Sequence, residues 1–346
     1  MDTFARRLLT WYDEFGRNDL PWQRAASPYA VWVSEIMLQQ TQVATVIPYY
    51  ERFMVRFPTV YQLAAAPRDD VLAHWAGLGY YARARHLHSA AATIVADHSG
   101  ELPNSMASLL ALPGIGRTTA GAILALAYCQ RQAILDGNVK RVLARFHGVS
   151  GWPGRANVLE KLWTLAEEHT PSRRVAEYTQ GIMDLGATLC TRSNPSCDTC
   201  PLNRDCIARA TGTQKRLPTP KPRGLRPKRK VSVLLVQDNQ QRVLLERRPD
   251  AGIWGGLFSL PELGADEDAD GWCARYLGTQ MSSSRSLAPI DHAFTHFDLC
   301  ITPMILELQE TPCSVVEEGE WLWYKPADEI DFGVAAPIGA LLNSLI

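Results

Sequence analysis

Four of the eight cysteines in this 346-residue chain, Cys190, Cys197, Cys200 and Cys206, fall within 17 residues in the spacing C-x6-C-x2-C-x5-C. Four thiolates at close, unequal spacing can wrap a tetrahedral zinc ion or a cubane iron–sulfur cluster. Zinc sites more often use two C-x2-C pairs. One pair is present here, which favours [4Fe–4S] over zinc. The remaining Cys129, Cys273, Cys300 and Cys313 read as small buried hydrophobes. No secretory apolar stretch follows Met1 and no apolar run is long enough to span a bilayer. A soluble, cytoplasmic protein using its cysteines for metal or as free thiols is therefore expected.

Two carboxylates and a glycine turn are the other residues that could do chemistry. In "VWVSEIMLQQTQV", Val31, Glu35, Leu38 and Gln42 share one helix face, so Glu35 sits among apolar neighbours. Burial disfavours its charged form, which suits a general acid near neutral pH; the plainer alternative is a carboxylate turned to the surface or paired with an arginine. Asp136 follows the apolar "AIL" and precedes Gly137 and Asn138, and on pattern alone it reads first as a helix N-cap or Asx-turn. In "ASLLALPGIGRTTAGAILALAY" an apolar helix ends at Leu112 and a second begins near Arg117. The turn between them, with Gly114 and Gly116, presents backbone N–H groups and a helix N-terminus, a ready phosphate site.

The elements that must hold these groups divide the chain in two. Residues 1–210 carry apolar positions at helical spacing, punctuated by Gly and Pro. Residues 212–230, "GTQKRLPTPKPRGLRPKRK", hold four prolines and eight basic residues and read as a semi-rigid linker. Beyond it "VSVLLVQD", "RVLLERRP", "ITPMILELQE" and "WLWYKP" look like strands with short helices among them. The net charge of −1 hides an asymmetry: residues 1–230 carry 29 basic against 18 acidic groups, and the rest 6 against 18. A basic part joined to an acidic part suggests a polyanion partner for the first.

Taken together, the hairpin, "ILDGNVKRVLAR" and the cysteine cluster resemble the helix-hairpin-helix DNA glycosylases of the endonuclease III superfamily. "LPWQ", "SEIMLQQTQV", "GLGYYARARHL" and the strand-rich second part narrow the resemblance to the adenine DNA glycosylase (MutY) family. It implies a multi-domain fold: an all-α helix-hairpin-helix glycosylase domain with a [4Fe–4S] cluster loop over 1–211, the linker over 212–230, and an α+β Nudix-like domain over 231–346. The implied activity is hydrolysis of the N-glycosidic bond of adenine mispaired with 8-oxoguanine or guanine, by a monomer acting on double-stranded DNA. Glu35 would protonate the adenine, and Asp136, oriented by Asn138, would stabilise the oxocarbenium-like sugar. A base inside a duplex is unreachable, so it must be flipped out and the gap filled. The resemblance gives that wedge to Gln40 and Tyr80, backbone anchoring to Gly114, Gly116 and Thr118, and the adenine pocket to Trp22 and Gln180. Arg83 and Arg85 are expected phosphate contacts.

"VLLERRPDAGIWGGLFSLPEL", 243–263, resembles the opening of a Nudix domain, but the following "GADEDADGWCARYLG" lacks the R-E-x-x-E-E core that binds magnesium. No pyrophosphohydrolase activity is expected. "HAFTHFDL" resembles the family's recognition loop and would set Phe294 and Thr295 beside 8-oxoguanine. The nearest rival is an endonuclease III-type glycosylase/lyase on oxidised pyrimidines, which needs an amine to form a Schiff base. Its lysine follows the Gly-Arg pair of the hairpin, where this chain has Thr118. A non-catalytic damage-binding protein is a third reading, against which the retention of Glu35 and Asp136 stands.

Overall fold

Helices account for the first 210 residues, as the 3.6-residue patterning predicts. The computed structural model describes every residue except 25, 26, 223, 265, 295, 310–320, 329, 331 and 346. The helices are α1 (Thr3–Phe15), α2 (Pro21–Arg24), α3 (Pro28–Leu38), α4 (Val43–Arg56), α5 (Val60–Ala65), α6 (Arg68–Trp75), α7 (Ala82–Asp97) and α8 (Met106–Ala111). They continue with α9 (Arg117–Tyr128), α10 (Gly137–Phe146), α11 (Ala156–His169), α12 (Val175–Thr188) and α13 (Ile207–Ala210). Among the described residues no helix is long and apolar enough to cross a membrane.

Two compact units result: Met1–Ala65 with His86–Arg223, and Ala66–Arg85 with Gly224–Ile346. In the first unit Phe4, Leu8 and Leu9 of α1 share a core with Val139, Val142 and Leu143 of α10, Leu162 of α11 and Ile182 and Leu185 of α12. Each contributes one apolar stripe, which is what makes these helices stable when packed and marginal when alone. α3 packs on α9 and α9 on α12, so the carriers of Glu35 and of the hairpin lean on the same scaffold.

The second unit is built on a mixed sheet in which β1 (Lys228–Gln237) lies parallel to β7 (Asp298–Leu308). β2 (Val243–Arg247) pairs antiparallel with β1, β3 (Phe258–Ser259) and β8 (Trp321–Tyr324); β4 (Glu262–Leu263) pairs with β1. β5 (Met281–Ser286) and β6 (Ile290–Ala293) both pair with β7. α14 (Ala269–Leu277) covers a core of Leu234, Val236, Leu244, Trp272 and Leu306, and α15 (Ala336–Asn343) follows β8 in the chain.

The compact units depart from the boundaries read in sequence. Residues 66–85, read as part of the helical domain, share a compact unit with the C-terminal strands and carry polar side chains bonded to them. Arg247 forks onto Asp69 at 2.6 and 2.7 Å, Arg68 pairs with Asp250, and Arg85 donates to the Gly255 carbonyl. Nor is 212–230 a free spacer. Arg145 donates to the carbonyls of Gln214 and Leu217, Thr219 Oγ1 accepts from the Gly151 N–H, and β1 begins at Lys228. Proline and lysine content signals extended backbone; it does not say what that backbone lies on.

Candidate active site

One cleft of about 930 Å³ in the first unit gathers eight of the residues singled out from sequence: Glu35, Asp136, Asn138, Trp22, Gln180, Gln40, Gly116 and Thr118 line it. Glu35 stands on α3, a helix started by Ser27, whose side chain accepts from the Ala30 N–H, and by Pro28 in its first turn. Val31, Trp32, Val33, Ile36 and Met37 are all buried, so the helix is apolar almost all round and its one carboxyl lines the cleft. Burial pushes the Glu35 carboxyl up to about 8, and the negative charge of Asp136 adds to the rise.

Asp136 realises the N-cap expected from sequence: its Oδ1 accepts from the Val139 N–H at 2.7 Å and starts α10. The same residue faces the cleft, so the structural and chemical readings were never alternatives. Burial raises its carboxyl too, but the N–H groups of Val139 and Asn138, the Asn138 amide and the charge of Arg141 all oppose that rise. Glu35 receives burial and a neighbouring negative charge, while Asp136 receives donors. Both carboxyls are raised: nothing offsets the rise at Glu35, which suits it to be the acid, whereas the donors on Asp136 pull against its burial.

Behind Asp136 the expected contact with Asn138 continues into a link that sequence reasoning missed, Arg141. Asn138 Nδ2 donates to Asp136 Oδ2 at 3.1 Å, and Arg141 Nη2 donates to Asn138 Oδ1 at 2.8 Å and to the Gly186 carbonyl at 2.6 Å. Arg141 Nε reaches the carbonyl of Cys190 at 2.7 Å. With its oxygen taken by Arg141, the Asn138 amide must turn its N–H toward Asp136. The close approach depends on Gly186 of α12, where a Cβ would meet that of Asn138 at 2.5 Å. The available signal was Arg141 and Arg145, one turn apart on the polar face of "GNVKRVLARF".

At another part of the cleft Trp22 is buried edge-on to Tyr50, and Gln180 turns its Nε2 to Asp184 Oδ1 at 2.8 Å. Between α8 and α9 the hairpin turn contains Gly114 at φ +79, where a Cβ would come 2.7 Å from that of His86. Gln39 Nε2 ties α3 to the hairpin through the Thr119 hydroxyl at 3.2 Å. Gln40, next in the chain, is exposed with φ +58. A non-glycine residue in the left-handed region is uncommon, and such strain gathers at functional positions.

Tyr80, in the second unit, shares that backbone strain at φ +52 and is 49 % exposed. Arg83 and Arg85 are not the free phosphate contacts expected. Arg83 is buried, stacks on Trp75 and Tyr80 and donates to the Leu78 and Gly79 carbonyls; Arg85 is spent on the carbonyls of Gly255 and Asp250. Both brace backbone. Phe294 stacks on Phe297 at 4.6 Å within an aromatic group that includes Trp254 and His292, and Arg229 lies over Phe297. Thr295 lies outside the described residues.

The four clustered cysteines surround one cavity together with Arg145, Leu189, Pro195 and Gln214. Among the described residues no group of three or more His, Cys, Asp and Glu is arranged to hold a single metal ion. Burial pushes the Cys200 thiol up to about 11, and negative charge on the other three adds to that. Arg145, 2 % exposed, donates to the Cys190 Sγ at 3.3 Å and to the carbonyls of Thr191 and Arg192. A donor set of four soft thiols around one space, with a buried guanidinium hydrogen-bonded to one sulfur, fits an iron–sulfur cage.

Comparison with known proteins shows the family. Residues 33–168 match the HhH-GPD superfamily of base excision DNA repair proteins, and residues 232–344 match the NUDIX domain. The adenine DNA glycosylase of Buchnera aphidicola subsp. Acyrthosiphon pisum is 35% identical over 341 residues, covering 99% of this chain and 97% of that one. The human adenine DNA glycosylase is 34% identical over 92% of this chain and 70% of its own. Among solved structures, a thermostable thymine-DNA glycosylase superposes with a TM-score of 0.55 at 28% identity, over 60% of this chain and 95% of its own. With such identity along nearly its whole length, the chain belongs to the adenine DNA glycosylases, enzymes of base excision repair that join a helix-hairpin-helix domain to a NUDIX domain.

Proposed function

We propose that this enzyme hydrolyses the bond between adenine and deoxyribose where adenine stands opposite 8-oxoguanine or guanine in duplex DNA, leaving an abasic site. The observation that carries the reading is a pair of carboxyls on one cleft, both raised by burial, where a neighbouring negative charge adds to the rise at Glu35 and hydrogen-bond donors oppose it at Asp136. Glu35 gives its proton to N7 of the extruded adenine. The C1′–N9 bond then breaks with its electron pair leaving on the base, and Asp136 stabilises the cationic sugar. Water adds to C1′ and its surplus proton returns to Glu35. Gln40 and Tyr80 fill the space the base vacates, and the hairpin at Gly114–Thr118 grips the backbone.

Cys190, Cys197, Cys200 and Cys206 hold a [4Fe–4S] cluster in this reading. The cluster braces the loop that Arg145 and Arg141 tie to α10. Purified protein is then expected to show broad visible absorption with about four irons per chain; a colourless protein carrying stoichiometric zinc would overturn the assignment. The second unit reads 8-oxoguanine, with the Phe294 aromatic group as its stacking surface and no pyrophosphohydrolase activity. The protein works as a monomer on DNA in the cytoplasm.

The test is a glycosylase assay on duplexes carrying adenine opposite 8-oxoguanine, with and without alkali. Release of adenine, with strand breakage only after alkali, is expected. A lyase needs an amine, and among the described residues no lysine lines the cleft. Strand breakage without alkali would point to an amine nucleophile and against simple hydrolysis; no release of adenine would overturn the proposal, and release from a duplex carrying an oxidised pyrimidine would then favour the endonuclease III-type reading.

A further inference from the structure

Gln180 and Asp184 stand one turn apart on α12, 7 % and 0 % exposed. Asp184 is an acceptor hub. Its Oδ1 takes Arg17 Nε at 2.9 Å, Arg17 Nη2 at 2.5 Å and Gln180 Nε2 at 2.8 Å, and its Oδ2 takes the Arg17 backbone N–H at 2.8 Å. Among the described residues Asp184 does not line the cleft, whereas Gln180 does.

An amide offers donors on one side and an acceptor on the other, and an ionised carboxylate offers acceptors alone. With Nε2 committed to Asp184, the Gln180 amide cannot turn over without setting oxygen against oxygen in a buried place. One N–H of Nε2 is used this way, and the bond fixes Oε1 on the opposite edge of the amide as an acceptor for a bound base. Adenine carries a donor amino group at position 6, and a 6-oxo purine carries an acceptor there. We infer that Asp184 is a positioning residue for base selectivity: by fixing the Gln180 amide it makes the pocket accept a 6-amino purine and reject a 6-oxo purine. The inference rests on the reading that the flipped base enters this cleft beside Gln180.

The test measures single-turnover excision by the full chain from duplexes in which adenine, hypoxanthine or unsubstituted purine stands opposite 8-oxoguanine. Wild-type protein is expected to be fastest on adenine and slowest on hypoxanthine. Asp184→Leu removes the acceptor, and Arg17, partly exposed in the folded chain, is left free to take the Gln180 oxygen and turn the amide over. The adenine-to-hypoxanthine rate ratio should then fall about 10-fold or more, the scale of one reversed hydrogen bond in a buried site. In a Gln180→Leu background the same change at 184 should leave the ratio where Gln180→Leu alone puts it.

If Asp184→Leu slows all three bases equally and the ratio holds, Asp184 is a structural anchor only and the inference is overturned. Should that variant not fold, the isosteric Asp184→Asn decides: a fall in the adenine-to-hypoxanthine ratio supports the inference, and an unchanged ratio overturns it. Wild-type protein that removes none of the three bases would overturn the glycosylase reading itself, a separate failure.

Discussion

Glu35→Gln is expected to slow adenine release by about 10³-fold, within the range a positioned general acid supplies, while leaving affinity for the mispaired duplex intact. Glutamine matches glutamate in shape but has no proton to give at neutral pH. The wild-type rate should be governed by the Glu35 carboxyl, which burial and Asp136 push to about 8. Below that pH the acid form dominates. As pH rises through it the proton is lost and the rate should fall, with no such limb in the variant. On the acid side the rate should fall as Asp136 takes a proton, from above its ordinary carboxylate range because burial raises it.

Stability should move the opposite way. A carboxyl whose folded pKa is raised binds a proton in the native state where the unfolded chain has released it, so it destabilises progressively from about pH 4.5 upward through about 8. Glu35→Gln removes that burden, and its melting temperature should exceed wild type by roughly 5 °C at pH 9 and by much less at pH 5. Single-turnover rates across pH, paired with thermal melts, check both halves. A variant that is inactive and also less stable at pH 9 would point to a packing role for Glu35 instead.

How much of this was legible beforehand depends on the range over which each residue acts. The cysteine quartet, Glu35 and the hairpin are set by nearby sequence, and the cleft and cavity gather them as their spacing suggests. Asp136 was legible as an N-cap for the same local reason. Its partner Arg141 lies on the next turn, but Arg141's hold on Gly186 and Cys190 depends on α10 and α12 packing closely, which no local pattern encodes. Asp184 shows the same limit. A lone Asp in "GIMDLGA" gives no hint that Arg17, far away in the chain, meets it, or that Gln180 is oriented by it. Arg83 and Arg85 mark the reverse failure: basic residues in a basic half look like phosphate contacts until their carbonyl partners appear. The ion pairs of segment 66–85, to Asp250 and from Arg247, were likewise illegible in its own composition.

Asp136→Asn should cost about 10² to 10³-fold in rate, the scale of losing one preorganised charge at a site where opposite charge develops. Asparagine caps helices as well as aspartate does, and its Oδ1 can still accept from Val139, so α10 should start where it does now. The side chain's other edge then offers a donor to Asn138 Nδ2, itself a donor whose orientation Arg141 fixes. That mismatch makes the variant a test of charge and alignment together, with the helix spared. A second readout separates chemistry from packing. Because the Asp136 charge helps raise the Glu35 carboxyl, its removal should shift the alkaline limb of the residual rate to lower pH. A structural lesion would scale the whole profile down without moving that limb. If Asp136→Asn keeps wild-type rate, the sugar cation is stabilised elsewhere and the two-carboxyl scheme fails; if the rate falls but the limb stays put, the two groups do not sense each other across the cleft.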